Sequence, residues 1–358
     1  MVALYNIREY KEGDGKGIVS LFNQVFVGDR DEEYWRWQFM ENPTNKPIIV
    51  VAEEDSEIVG QCTLLPTYMI VKGEEMLSGQ SIDTMIKKEF RGKGMHGQMA
   101  NKSYEIGVSD GIKFRIGFPS QLALRGLLGG IGGSFVTDIN LFMNPYRIDN
   151  FLISVVKSKF IAKVLSVPLL LLMKLIFKEK KIRLKEKYTF KEIDEFDEDF
   201  NKLWNKIKTN SLIMTRRDSE FLNWRIKNHP KINYKTIAAY CNGEITGYII
   251  LKVEAKSLRK EYEIKLGSIV DMVGINDDVI SALYYKAKEF FKKENTDFVI
   301  TWITDSMKYR ELFMKLGFIK SKNKIPFVVK DLTSDKELEE YITNEKNWYL
   351  MPIESDFY

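Results

Sequence analysis

Cysteine and histidine are almost absent from this chain of 358 residues: Cys62 and Cys241, His96 and His229 are all it has. Four such residues, scattered, do not supply the three or four clustered ligands of a usual zinc site. No spaced Asp/Asn/Glu loop of the calcium or magnesium kind occurs either, so no metal is expected. So few cysteines suit a reducing compartment better than a disulfide scaffold. An excess of charge is also missing, with 54 Lys+Arg against 50 Asp+Glu and a net charge of +4. At 29% charged and 44% hydrophobic residues, the composition is globular and excludes extended disorder or collagen-like repeats. Nothing in it asks for a nucleic-acid partner. The opening MVALYNIREYKEGDG is polar, without the apolar centre of a signal peptide, and a cytoplasmic location is expected.

What charge there is lies unevenly. Residues 151–191 hold eleven Lys/Arg against Glu179 and Glu186 only, a net +9 that leaves −5 for the remainder. Within them runs VLSVPLLLLM, Val164 to Met173, broken by Pro168. Spanning a bilayer takes roughly 20 apolar residues, so this stretch is too short to cross. Two placements are open for it. One is a linker helix pair buried between domains, its lysines reaching outward. The other is a peripheral membrane contact through 157–187, apolar in the middle and basic at the flanks, at the inner face of the membrane.

The segment divides two halves that resemble each other. A shift of 187 lays Arg30-Asp31 on Arg217-Asp218, Trp37 on Trp224, Pro43 on Pro230 and Gly60 on Gly247, with nine identities over 31 ungapped positions. Both stretches read as a short helix with a proline stop, then a hairpin. Duplication accounts for this better than chance. Three regions are expected: 1–150, a basic apolar helical linker over 151–191, and 192–358. Each half continues as strand, helix, strand, short helix and strand, which is an α+β pattern of a mixed sheet flanked by helices.

Arg91-Gly92-Lys93-Gly94-Met95 falls between a strand and a helix. Glycines let the backbone turn tightly, so that several N–H groups face one point with a helix dipole behind them. Such a turn suits a diphosphate. It is neither a phosphate-binding Gly-Lys-Ser/Thr loop nor a dinucleotide fingerprint, because Gln98 stands where a third glycine would be needed.

The order strand–RGKGM–helix–strand–FPSQLALRGLLGGIGGSF resembles the GNAT family of acyl-CoA N-acyltransferases, by element order over most of residues 1–145 and by motif over about 91–135. The family's signature, Gln/Arg-x-x-Gly-x-Gly/Ala, finds Arg91 and Gly94, while His96 replaces the last small residue. The resemblance implies two tandem GNAT-like domains. It implies acetyl-CoA or another acyl-CoA as cosubstrate, its diphosphate on the amides of Arg91, Gly92, Lys93, Gly94 and Met95. Its pantetheine would pair with the backbone of Met85 and Ile86, with Ser120 where the family often has an asparagine. His96 either donates to the diphosphate or points to solvent. The second half reads MVGINDDVISA where the first has RGKGMHGQM. Its two aspartates would repel a diphosphate, so one cofactor site per chain is expected, and the second copy is degenerate. Replacing Gly274 there by Asp is expected to leave CoA binding intact.

The family's catalysis places an amine against the thioester carbonyl and needs a base. The tyrosine that often protonates the sulfur is missing from LALRGLL, where only Arg125 is polar. Asp83, in the strand before the loop, is the candidate proton acceptor or amine anchor. It is expected on one face with Ser81 and Met85, with Ile82 and Ile86 on the other, and either facing the cleft or salt-bridged. Tyr104 suits a core aromatic. The terminal carboxylate at Tyr358 is a further catalytic candidate, because some tandem GNAT enzymes bring the chain end into the site; packing of NWYLMPIESDFY on the second half is the alternative. The implied activity is acyl transfer to a primary amine of a small molecule such as an amino sugar or amino acid. A CoA-binding scaffold and an aminoacyl transferase of the cell envelope are the rivals.

Overall fold

A computed structural model describes residues 5–358 except 27, 45, 177–181, 185, 186, 209–211, 260, 261, 308 and 357. Of the basic segment, Lys178, Lys180, Lys181 and Lys185 thus lie outside the described residues. The first half runs β1 (Asn6–Glu9), α1 (Gly15–Phe26), α2 (Glu32–Phe39), β2 (Ile48–Glu54), β3 (Glu57–Val71) and β4 (Glu74–Ile86). It goes on through α3 (Met95–Ser109), β5 (Phe114–Gly117), α4 (Gln121–Gly126) and β6 (Ser134–Pro145). Two helices follow, α5 (Asp149–Val156) and α6 (Lys159–Ile176). The second half opens with β7 (Thr189–Ile193), α7 (Glu198–Ile207), β8 (Met214–Thr215) and α8 (Ser219–Leu222), then β9 (Lys235–Cys241) and β10 (Glu244–Arg259). It closes with β11 (Tyr262–Gly274), α9 (Asp277–Lys293), β12 (Phe298–Ile303), α10 (Arg310–Lys315), β13 (Ile319–Asp331) and α11 (Lys336–Thr343).

The chain is mixed α+β and folds into two compact units. One holds residues 1–138, 208–231 and 325–348, the other 139–207, 232–324 and 349–358. These interleave, unlike the contiguous regions expected from the sequence. In the first unit the strand order is β1-β2-β3-β4-β5-β13, antiparallel throughout except for the parallel β4/β5 pair. In the second it is β7-β9-β10-β11-β12-β6, antiparallel except for β11/β12. The two sheets have one topology, and each takes its last strand from the other half of the chain. Segment 208–231 also joins the first unit. There Trp37 and Trp224, equivalent under the shift of 187, stack at 5.5 Å between ring centroids. Each indole N–H donates to the other's carbonyl at 2.8 Å. The two tryptophans that the shift of 187 equates thus meet reciprocally.

The first sheet is buried on both faces, which is why Ile48–Ala52 is a continuous apolar run rather than an alternating one. Ile48, Val50 and Ala52 pack with Met95, Met99 and Tyr104 of α3. Ile49 and Val51 pack with Ile18 and Leu21 of α1 and Trp35 and Phe39 of α2. The simple alternation along β4 breaks at a bulge: Ile82 pairs with Thr63 and Met85 with Gln61, so Asp83 and Thr84 together face Cys62. Asp83 takes up the extra residue at φ +48°. Ile82 and Met85 consequently share the α1/α2 face and Ile86 turns to the α3 face, which corrects the expected grouping of Ile82 with Ile86.

Candidate active site

β4 and β5 pair only from Ser78 to Gln80, against Phe114 to Ile116. β5 then ends at Gly117 while β4 runs on to Ile86, still paired on its other edge with β3. Two parallel strands that part leave backbone donors and acceptors of β4 facing a slot, and buried backbone groups need partners. Met85 and Ile86 line the far end of that slot through their main chain. The side chain of Met85 is core, 1% exposed.

The chain leaves β4 through a short turn and enters α3. Gly92 and Gly94 sit at φ +78° and +77°, where a side chain is strained. Gly94 is the helix N-cap, and no side chain caps the helix. A Cβ at Gly92 would meet nothing within 4 Å, and one at Gly94 only Gln98 Nε2 at 3.9 Å. The first-turn amides of a helix 15 residues long therefore open onto free space with the dipole behind them. Arg91, Gly92, Lys93 and Gly94 are exposed and Met95 is buried, so the Met95 side chain anchors the helix start in the core. Arg91 donates from Nε to the Ile86 carbonyl at 2.9 Å, which ties the turn to the end of β4.

The other residues singled out in the sequence separate into different surroundings. Asp83 is buried and paired with Arg30, whose guanidinium stacks on Phe22 at 3.5 Å. Burial pushes the Asp83 carboxyl up, against the pull of Arg30. The cleft-or-salt-bridge alternative thus resolves to the salt bridge. His96 is half-buried; burial first, and then Arg115, push its imidazole down, so it is neutral rather than poised as a cation. Ser120 caps α4, accepting from the Ala123 amide at 3.3 Å. Tyr104 is a core aromatic, 7% exposed, and Arg125 is exposed.

Tyr358 belongs to the second unit, whereas Asp83 and the glycine turn belong to the first. Its ring packs edge-on to Trp302 at 5.4 Å and under Lys252 at 5.1 Å. The tail lies on β11: the Tyr349 hydroxyl donates to the carbonyl of Met272, the residue that the shift of 187 places on Met85. At the start of α9, the Asn276 side chain accepts from the amides of Asp278 and Val279, both at 3.0 Å. In the second copy, then, the helix start is capped by its own side chain and strand β11 by its own tail. Gly274 is no counterpart of Gly94. A Cβ there would lie 2.4 Å from Val279 Cγ1, so its replacement disturbs the local packing.

Two residues escaped the sequence reading. Arg30 was visible as half of the repeated Arg-Asp pair, but not as the partner of Asp83. Arg115, in the middle of β5, has 0% exposure. Its Nη2 donates to the Gly132 carbonyl at 3.2 Å, while Nε and Nη1 have no partner. Lys330 lies opposite it in the β5/β13 ladder and, like His96, has its pKa pushed down by burial and by Arg115. A charged residue inside an apolar strand was the available signal.

Residues 6–129 match the family model described as an acetyltransferase (GNAT) domain. No curated protein matches the chain in sequence. Among solved structures, a GCN5-related N-acetyltransferase from Anabaena variabilis is similar, with 12% identity and a TM-score of 0.64 over 92% of this chain and 73% of its own. A probable N-acyltransferase from Enterococcus faecalis gives 10% identity and a TM-score of 0.64 over the same shares, 92% and 73%. N-myristoyltransferase from Saccharomyces cerevisiae, solved with bound myristoyl-CoA, gives 14% and 0.62 over 92% of this chain and 80% of its own. At these identities the likeness is one of fold, and it extends over both units. Family match and fold together support an N-acyltransferase.

Proposed function

We propose that the chain is an acyl-CoA-dependent N-acyltransferase with one cofactor site, in the first copy, acting on a primary amine of a small molecule such as an amino sugar or amino acid. The observation that carries this is the uncapped, glycine-opened start of α3 at the end of a strand that has parted from its neighbour. The amides of the turn take the diphosphate, and the free edge of β4 near Met85 and Ile86 takes the amide groups of pantetheine. A neutral amine then attacks the thioester carbonyl; the C–N bond forms, the C–S bond breaks, and the amine's proton leaves to a base while the sulfur gains one. Asp83 is the acid on β4 whose proton affinity burial raises, and its pairing with Arg30 orients it. The yeast neighbour was solved with bound myristoyl-CoA, which supports an acyl-CoA as the cosubstrate.

Calorimetric titration with acetyl-CoA and with myristoyl-CoA is expected to give a stoichiometry of one for the one that is used. Thiol release over a panel of amines then identifies the acceptor class. Heat without turnover on any amine would point to a binding protein, and no heat with either would sink the acyl-CoA reading. Asp83→Asn is expected to lower kcat by about a hundredfold with the CoA heat unchanged. If it only lowers the melting temperature, as Arg30→Met should by leaving a buried charge unpaired, Asp83 is structural.

A further inference from the structure

Helix α6 packs on the second unit by a narrow stripe. Ala162 and Ser166 are buried, and Leu170 and Met173 lie against Ile264, Leu266, Phe298 and Ile300 of the sheet. These positions recur every three or four residues and so form one line along the helix. The opposite face is apolar and bare: Phe160, Val164, Val167, Leu171, Leu172 and Leu175 range from 52% to 79% exposed. At 100° per residue they fall in one continuous arc. The expected run Val164–Met173 is therefore split, with Leu170 and Met173 inward and most of the rest outward. Pro168, inside the helix, lacks the N–H that would bond to Val164.

Soluble chains seldom leave so long an apolar strip uncovered unless something binds it. Charge identifies what. No Asp or Glu occurs between Asp149 and Glu179, while Lys157, Lys159, Lys163 and Lys174 do. On the helix, position 163 lies at one border of the apolar arc, between it and the buried stripe, and Lys157 and Lys159 are exposed at the helix's N-terminal end. Beside α6 opens a cavity of about 230 Å³, lined by Met173 together with Arg147, Lys288, Lys292 and Thr296. The hydroxyl of Thr296 there is buried without a partner. A second copy of this chain would set lysine against lysine. A surface that is hydrocarbon just below and anionic on top matches both features, since lysines at the border of such a helix reach the headgroups while the apolar arc enters the acyl boundary.

We infer that α6 is a membrane-docking helix that seats the second unit on an anionic lipid bilayer. This is independent of the cofactor site, and the helix lies on the surface without crossing: among the described residues no helix is long and apolar enough to span.

The test is co-sedimentation of the full chain with vesicles of phosphatidylcholine and phosphatidylglycerol in a three-to-one ratio, and with phosphatidylcholine alone. Binding is expected to the mixed vesicles, and to weaken at high salt. Val164→Glu/Leu171→Glu, both on the exposed arc, should weaken it at least about tenfold with the melting temperature unchanged. Lys159→Glu/Lys163→Glu should remove the preference for the anionic vesicles. Failure of the parent protein to pellet at low salt overturns the inference. So does equal binding by the Val164→Glu/Leu171→Glu variant. A concentration-dependent dimer that this variant disperses, without vesicle binding, would make the occupant a second copy and overturn it equally. Leu170→Glu is no test, because that side chain packs inward.

Discussion

Gly94→Asp is expected to abolish acyl-CoA binding, with no measurable heat under conditions where the parent protein saturates. Three effects act together. The residue sits at φ +77°, where a non-glycine backbone costs roughly 1–2 kcal/mol. The new side chain would occupy the open space in front of the first turn of α3, where nothing but Gln98 approaches. Its carboxylate would also accept from the amides that the diphosphate requires, and repel the diphosphate itself. The site is exposed, so the fold should survive, and far-ultraviolet circular dichroism with a melting curve checks that. Gly94→Ala carries the strain without the charge and should weaken binding less. If Gly94→Asp binds as well as the parent, the diphosphate lies elsewhere and the proposed site fails with it.

Removing the tail after Trp348 should leave a protein that is unstable or insoluble. Leu350 and Met351 are 0% exposed and Ile353 2%, and burying such a side chain contributes about 1.5–3 kcal/mol each. Three of them are comparable to the ~5–15 kcal/mol net stability of a whole domain. A gentler probe is Tyr349→Phe, which deletes only the hydroxyl that donates to Met272. It should cost about 1 kcal/mol, read as a lower urea midpoint at unchanged slope. Neither change should create a second CoA site, because Asn276 still caps α9. A stable truncated chain, or a stoichiometry of two in Tyr349→Phe, would contradict the view that the tail has taken over the second copy's strand edge.

Much of this was legible without coordinates, and for local reasons. The glycine turn, its helix and the strands around them depend on residues close in sequence, whose backbone preferences fix the geometry: Gly92 and Gly94 adopt the left-handed region that only their lack of a side chain makes easy. The likeness of the two halves could be read because Arg30-Asp31, Trp37 and Gly60 each have a counterpart 187 residues on. The aspartates marked the start of α9, although the residue whose side chain caps it is Asn276.

Other features depend on groups far apart in the chain. One extra residue opposite Cys62 turned Asp83 out of simple alternation, and a bulge is set by the pairing of two strands rather than by either alone. Arg30 meets Asp83 across 53 positions, and Tyr349 meets Met272 across 77. The direction in which Val164–Met173 faces was open in the sequence, because an all-apolar helix has no polar face to show which side is buried. Sequence by itself determined the α+β pattern and the glycine turn between β4 and α3. Tertiary structure alone decided which half supplies each sheet's last strand, how Asp83 is paired and which face of α6 is left bare, because each of those is a choice among distant partners that local chemistry allows equally.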